Sequence, residues 1–231
     1  MSFLLQNSPE SAKSELELFS LPPTQTVIER GQWVEFHPLA NVSDGGPLEF
    51  NISGSGEEYL DLSQTHLYIK AKILNNDGTV LKEKAKVGPV NLFLHSMFSQ
   101  VDISLNERLV SSSNNTYPYR AMIEKLLNHG FDVKTSQLSS ELFFKDTAGF
   151  MNVFDPAETT NEGFNKRADL VKLSATVDMI GRLHLDMCHQ ERLLLNMVDV
   201  KIKLIRSKPE FCLLGDEGSL KVSLEHISLF I

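Results

Sequence analysis

The sequence is poor in cysteine: Cys188 and Cys212 are the only two among 231 residues, and there is a single tryptophan. Two thiols cannot form a disulfide scaffold, and with no Cys-x-x-Cys pair neither a zinc ribbon nor a redox dithiol is indicated, so reduced thiols are expected. Basic charge is also scarce. The 22 Lys and Arg stand against 30 Asp and Glu, a formal net charge of −8. That balance excludes a chain held on nucleic acid mainly by phosphate neutralisation. The densest basic cluster, Lys201, Lys203, Arg206 and Lys208, is small, and Lys201 and Lys203 fall on the polar side of an alternating run, as on a solvated strand face. No stretch approaches the roughly 20 apolar residues of a membrane span. The opening "MSFLLQNSPESAKSELELF" has no basic n-region and only a three-residue apolar run, so a secretory leader is not expected. The sequons at Asn41, Asn51 and Asn114 are accordingly read as unused.

Catalytic signatures are missing as well. There is no G-x-S-x-G elbow, and "GSGEE" (54–58) places carboxylates where a phosphate-binding loop needs a lysine. The carboxylate pairs Glu15/Glu17 and Glu57/Glu58 lie in polar segments where raised pKa values are not expected. In "RLHLDMCHQ" the residues Arg182, His184, Asp186 and Cys188 alternate onto one strand face, and three of them are competent metal ligands. Ligands two apart on a strand need a further contributor, for which His66 or His95 could be proposed, although the spacing singles out neither. Arg182 also brings positive charge to that face. The expectation is a polar outer strand, with no catalytic, cofactor-binding or metal residue assigned.

What the sequence does contain is alternation. Leu48, Phe50 and Ile52 alternate after a turn at "SDGGP", and in "THLYIKAKIL" Leu67, Ile69, Ala71 and Ile73 face one way while His66, Tyr68, Lys70 and Lys72 face the other. A strand is expected over Thr26–Phe36, with Ile28, Val34 and Phe36 on one face and Gly31 a candidate bulge. "NNDG" (75–78) reads as a hairpin turn, and a second hairpin tightens at Asn106-Glu107. In "VNLFLHSMFSQVDISL" the residues Phe93, Leu94, Met97 and Phe98 fall at helical intervals, then Val101, Ile103 and Leu105 alternate: a short helix fused to a strand. The best helix is Tyr117–Asn128, with Asn115 or Thr116 as cap, Pro118 in the first turn, Gly130 as stop and a stripe of Met122, Ile123, Leu126 and Leu127. Residues 145–174 form a long polar excursion holding a short helix near Asn161–Leu170.

Three strands follow. Val177, Met179, Leu183, Leu185 and Met187 point inward in the first, and Val198, Val200, Ile202 and Leu204 in the second. In the third, Leu220, Val222 and Leu224 are followed by Ile227, Leu229 and Ile231. That change of parity requires a β-bulge near Glu225-His226. With no βαβ rhythm, the fold class is all-β: an eight-stranded antiparallel jelly-roll sandwich with one or two short helices in the connections. Residues 1–20 are expected to form an N-terminal arm, and 21–231 a single jelly-roll domain.

Seven blocks suggest more than a fold class: "LPPTQT" (21–26), "YLDLS" (59–63), "VGPVNLFLHSMFSQVDISLN" (87–106), "NTYPYRAMIEKLLN" (115–128), "KDTAG" (145–149), "GRLHLDM" (181–187) and "LLLNMVDVKIKLIRSK" (193–208). In order and over about 21–231, the sequence resembles the major capsid proteins of Polinton (Maverick) elements and the related adintoviruses. The resemblance implies a double jelly roll, hexon-like, with three chains per pseudo-hexagonal capsomer; this chain has the length of the first roll. Two positions depart from the pattern: Cys188-His189 stands where bulkier aromatics are expected, and Met197 where a turn glycine is natural.

The resemblance implies a structural capsid protein rather than an enzyme, needing no cofactor. Its partners would be itself, as homotrimer and neighbouring capsomers, and penton or minor capsid proteins, without strong nucleic-acid binding. Its place would be the virion capsid, assembled in the host cytoplasm or nucleus and not secreted. The competing reading is a jelly-roll module for carbohydrate or another ligand, which would require a concave face lined with exposed aromatics.

Overall fold

Where apolar and polar residues alternate, the chain forms strands that bury one face. The computed structural model describes Ile28 and residues 30–42, 45–54, 56–215 and 219–231. The chain divides into Met1–Val34 and Glu35–Ile231, and the fold below is that of the second unit. Its strands are β1 (Glu35–Phe36), β2 (Leu48–Ile52), β3 (His66–Asn75), β4 (Val87–Pro89), β5 (Phe98–Leu105), β6 (Arg108–Ser112), β7 (Val177–Arg182), β8 (Val200–Arg206), β9 (Leu213–Gly215) and β10 (Leu220–Phe230). Its helices are α1 (Phe93–Ser96), α2 (Tyr117–Asn128), α3 (Phe131–Thr135), α4 (Glu162–Leu170) and α5 (Pro209–Cys212).

Eight strands make two four-stranded sheets, β1-β10-β3-β7 and β2-β8-β5-β6, and β4 with β9 forms a separate ribbon. Every pairing is antiparallel. The pairs are nested, β1 with β10, β2 with β8, β3 with β7 and β5 with β6, as if one long hairpin closed at the β5–β6 turn had been rolled up. That winding is a jelly roll. Inward residues of both sheets meet in one core, in which Phe50, Leu67, Ile69, Phe98, Val101, Ile103, Ile202, Leu204 and Leu229 are fully buried.

Several expectations are met in detail. The β10–β3 register shifts between Leu224 and His226, so Glu225 is the extra residue demanded by the change of parity. Asn106 and Glu107, at φ 46° and 66°, close the β5–β6 hairpin with the two positive φ values of a type I′ turn. The helical turn α1 runs directly into β5, and Phe93, Leu94, Met97 and Phe98 are all buried. In α4, the Asn161 side chain accepts from the Phe164 N–H, as an N-cap should.

Others are corrected. The strand expected over Thr26–Phe36 is reduced to Glu35–Phe36, because pairing to β10 is confined to those two residues. Thr26 and Val27 lie outside the described residues, Ile28 and Val34 are exposed, and no strand or bulge forms at Gly31. The Asn75–Gly78 turn exists, with Gly78 at φ 89°, but β3 pairs with the distant β10 and β7 and not with a strand directly after the turn. Gly130 is not the stop of α2: His129 ends it in extended conformation, and Gly130 starts α3. The inward alternation expected through Met187 stops with β7 at Arg182, after which Leu183, His184 and Leu185 are all buried. There are ten strands among the described residues, not eight, the extra two being the β4–β9 ribbon, and five helices instead of one or two, all of them in the connections. The arm expected at 1–20 lies outside the described residues.

Candidate functional site

The helix α2 presents two unlike faces. Pro118 sits in the first turn, while the Thr116 hydroxyl donates to the Ser113 carbonyl at 2.5 Å and makes no cap bond. Toward the protein it turns Tyr117, Ala121 and Lys125, all buried. The stripe expected to be its buried face points the other way: Ile123, Leu126 and Leu127 are exposed, Leu127 to 78 %, and Phe131 at the start of α3 is equally open. Only Met122 of that stripe packs inward, against Leu92, Ala121, Leu138 and Phe143. The reason is electrostatic. Glu141, 4 % exposed, lies under α2 and holds the Lys125 ammonium at 2.7 Å, so the inward face of the helix must carry a cation.

Around Glu141 lies a polar cluster drawn from distant stretches. His95, on α1 and fully buried, places Nδ1 2.9 Å from the Tyr117 hydroxyl and Nε2 3.2 Å from Glu141 Oε2. His184 follows β7. Its Nδ1 is 2.5 Å from Glu124 Oε2, and its Nε2 is buried without a hydrogen-bond partner. The His95 and His184 rings stand edge to face with centroids 4.8 Å apart. Glu124 also receives His189 Nε2 at 2.7 Å and Arg120 Nε at 2.7 Å, and Arg120 continues to Asp186 at 2.8 Å. A glycine makes room: a Cβ at Gly181 would come within 2.6 Å of the Glu141 carboxyl carbon.

This setting moves the titrations. Burial pushes the Glu141 carboxyl up, but the hydrogen bond and charge of His95, with Lys125, outweigh it and hold the group down at about 2. Burial also opposes ionisation of Glu124, and the bonds from His184 and Arg120 again prevail, to about 2. His184 moves down to about 3, because burial and then the neighbouring His95 disfavour its charged form. At neutral pH it is a neutral imidazole.

The strand face expected to gather Arg182, His184, Asp186 and Cys188 does not exist as a unit. Arg182 ends β7 and donates to Gln64 Oε1 at 2.9 Å, while Asp186 to Cys188 form a 3-10 turn. Asp186 is exposed, and His184 and Cys188 are buried. Of the two contributors named from sequence, His95 meets His184 and His66 instead bonds the Gln64 carbonyl at 2.6 Å. Sequence reasoning missed Glu141, Glu124 and Lys125, which carry no local pattern. Lys201 and Lys203 both reach Glu49 on the outer face of the β2–β8 pair, as a solvated strand face should. Both cysteines are free thiols.

No family model matches the sequence. An uncharacterised protein of Caenorhabditis elegans is 26% identical over 198 residues, which is 83% of this chain and 45% of the worm protein. Among solved structures, a chain of the Sputnik virophage covers 97% of this chain with 13% identity and a TM-score of 0.51. The two share the jelly-roll fold. The mavirus major capsid protein matches across 100% of this chain with 14% identity and a TM-score of 0.44. The chain spans about half the length of these relatives, 45% of the worm protein and 52% of the virophage chain.

Proposed function

We propose that this chain is a jelly-roll unit of a major capsid protein, and that its work is self-association into a shell. The observation that carries the reading is the nested roll of eight strands, together with the virophage chain that follows it over 97% of its length. Two features support it. The ionisable groups His95, Glu141 and His184, which converge under α2, are buried out of reach of any substrate, which favours a structural role over catalysis. The exposed stripe of Ile123, Leu126, Leu127 and Phe131 is apolar surface of the kind that marks contact between proteins. A ligand-binding module is not favoured, since the exposed aromatics among the described residues, Trp33, Tyr59, Tyr119, Phe131, Phe150 and Phe211, all lie outside the strands.

In its finer form, the reading is of the first roll of a double jelly-roll protein from a Polinton-type element or adintovirus. Three full-length chains would build a pseudo-hexagonal capsomer, which meets other capsomers and penton or minor capsid proteins in the virion after assembly in the host cell. No helix among the described residues is long and apolar enough to cross a membrane. The test is sedimentation and electron microscopy of the full-length product. Trimers and closed shells are expected, and a strictly monomeric protein at high concentration overturns the reading.

A further inference from the structure

We propose that His95, Glu141 and His184 form a binding site for one divalent transition-metal ion of the zinc class. Each offers one ligand atom, and the three atoms lie within 4.8 Å of one another. Two imidazole nitrogens and one carboxylate oxygen are a donor set that zinc accepts, with bonds of roughly 2.0–2.2 Å. Two ligands at that distance and the tetrahedral angle stand about 3.3–3.5 Å apart. His95 Nε2 and Glu141 Oε2, at 3.2 Å, already have nearly that separation.

The third ligand supplies the independent observation. His184 is 4 % exposed, and its Nε2 has no hydrogen-bond partner. A buried polar atom of that kind is normally satisfied. The surroundings also orient the ligands. His184 Nδ1 is held by Glu124 and His95 Nδ1 by Tyr117, which leaves the Nε2 atom of each ring as the one available to an ion. Lys125 occupies only Oε1 of Glu141, so Oε2 remains for the ion. Binding would displace the proton shared between His95 Nε2 and Glu141 Oε2, and that proton leaves to solvent. Lys125, on Oε1 of Glu141, opposes the ion by its charge, and Glu124 behind His184 acts against it.

Glu124, His184 and His189 also have ligand atoms within 4.8 Å of one another, but there Glu124 Oε2 already holds both imidazoles. A third group, Glu35, His37 and His226, meets the same distance, but Glu35 and His37 are exposed and His226 Nε2 already contacts Ser228 Oγ at 3.3 Å. It serves as the control. The full chain, stripped with chelator, incubated with Zn2+ and desalted, should retain about one zinc, and with Co2+ should absorb as a tetrahedral ion without a thiolate charge-transfer band. His184→Gln and Glu141→Gln should lose zinc, Glu124→Gln should bind roughly 10- to 100-fold more weakly, and His226→Gln should bind as the parent does. Long-range 1H–15N spectra of the unsubstituted chain read the histidine nitrogens without relying on a variant that folds. Both Nε2 resonances, of His95 and His184, should shift on Zn2+ addition. Failure to retain zinc, unmoved Nε2 resonances, a thiolate band, or loss of zinc in His226→Gln overturns the proposal. None of these outcomes bears on capsid assembly.

Discussion

Cys188 and Cys212 are 4 % and 2 % exposed, and burial pushes both thiols from 9.0 to about 12. Between those values the unfolded chain gives up protons that the folded chain keeps, so folding stability falls as pH rises from about 9 toward 12. Urea unfolding midpoints should therefore drop between pH 8 and pH 10. The drop should shrink in Cys212→Ala, and a midpoint independent of pH and of that substitution would contradict the assignment. Met197 illustrates the same scale differently. A turn glycine is natural at this position, and Met197 does adopt φ 63°, with its N–H bonded to the Gly54 carbonyl at 2.6 Å. Its side chain, 72 % exposed, meets no packing that would forbid the left-handed conformation.

Among the elements, α4 is tied to two other segments by Arg167. Arg167 is fully buried, and its guanidinium donates to the Pro89 carbonyl at 2.9 Å, to the Phe144 carbonyl and to Asp146 at 2.8 Å, tying the 145–174 excursion to β4. Arg167→Met should destabilise the fold by about 3 kcal/mol, near the low end for a broken buried pair because Asp146 keeps some solvent. An unchanged urea midpoint would refute this. Elements with a strict period were legible in the sequence: the faces of β2, β3 and β8, the bulge in β10 and the fused α1–β5 turn all follow from spacing. The outward turn of α2 was not. Its apolar stripe reads as a buried face until Glu141, from another stretch, claims the inward side for Lys125. The His95–Glu141–His184 cluster was half legible for the same reason. Two of its histidines could be named, but their meeting depends on how β7 ends and where α1 packs.

For the whole molecule, the roll leaves apolar surface uncovered at Ile123, Leu126, Leu127 and Phe131. The 231-residue chain by itself should associate or dissolve poorly if that surface normally meets another protein. Replacing Ile123 and Leu127 by Glu and Lys should shift it toward monomer in sedimentation velocity. Its stability should change by less than about 0.5 kcal/mol per site, as for other exposed positions. Identical sedimentation of parent and variant would remove this face from the interface.

The nested pairing also governs how the protein can be made. Glu35 has its partner at Phe230, and β3 lies between β10 and β7, so the first sheet stays open until β10 has left the ribosome. Until then the nascent chain displays an unpaired edge of Leu67, Ile69 and Ile73. During those seconds of translation, chaperone supply should decide the yield more than the stability of the finished roll does.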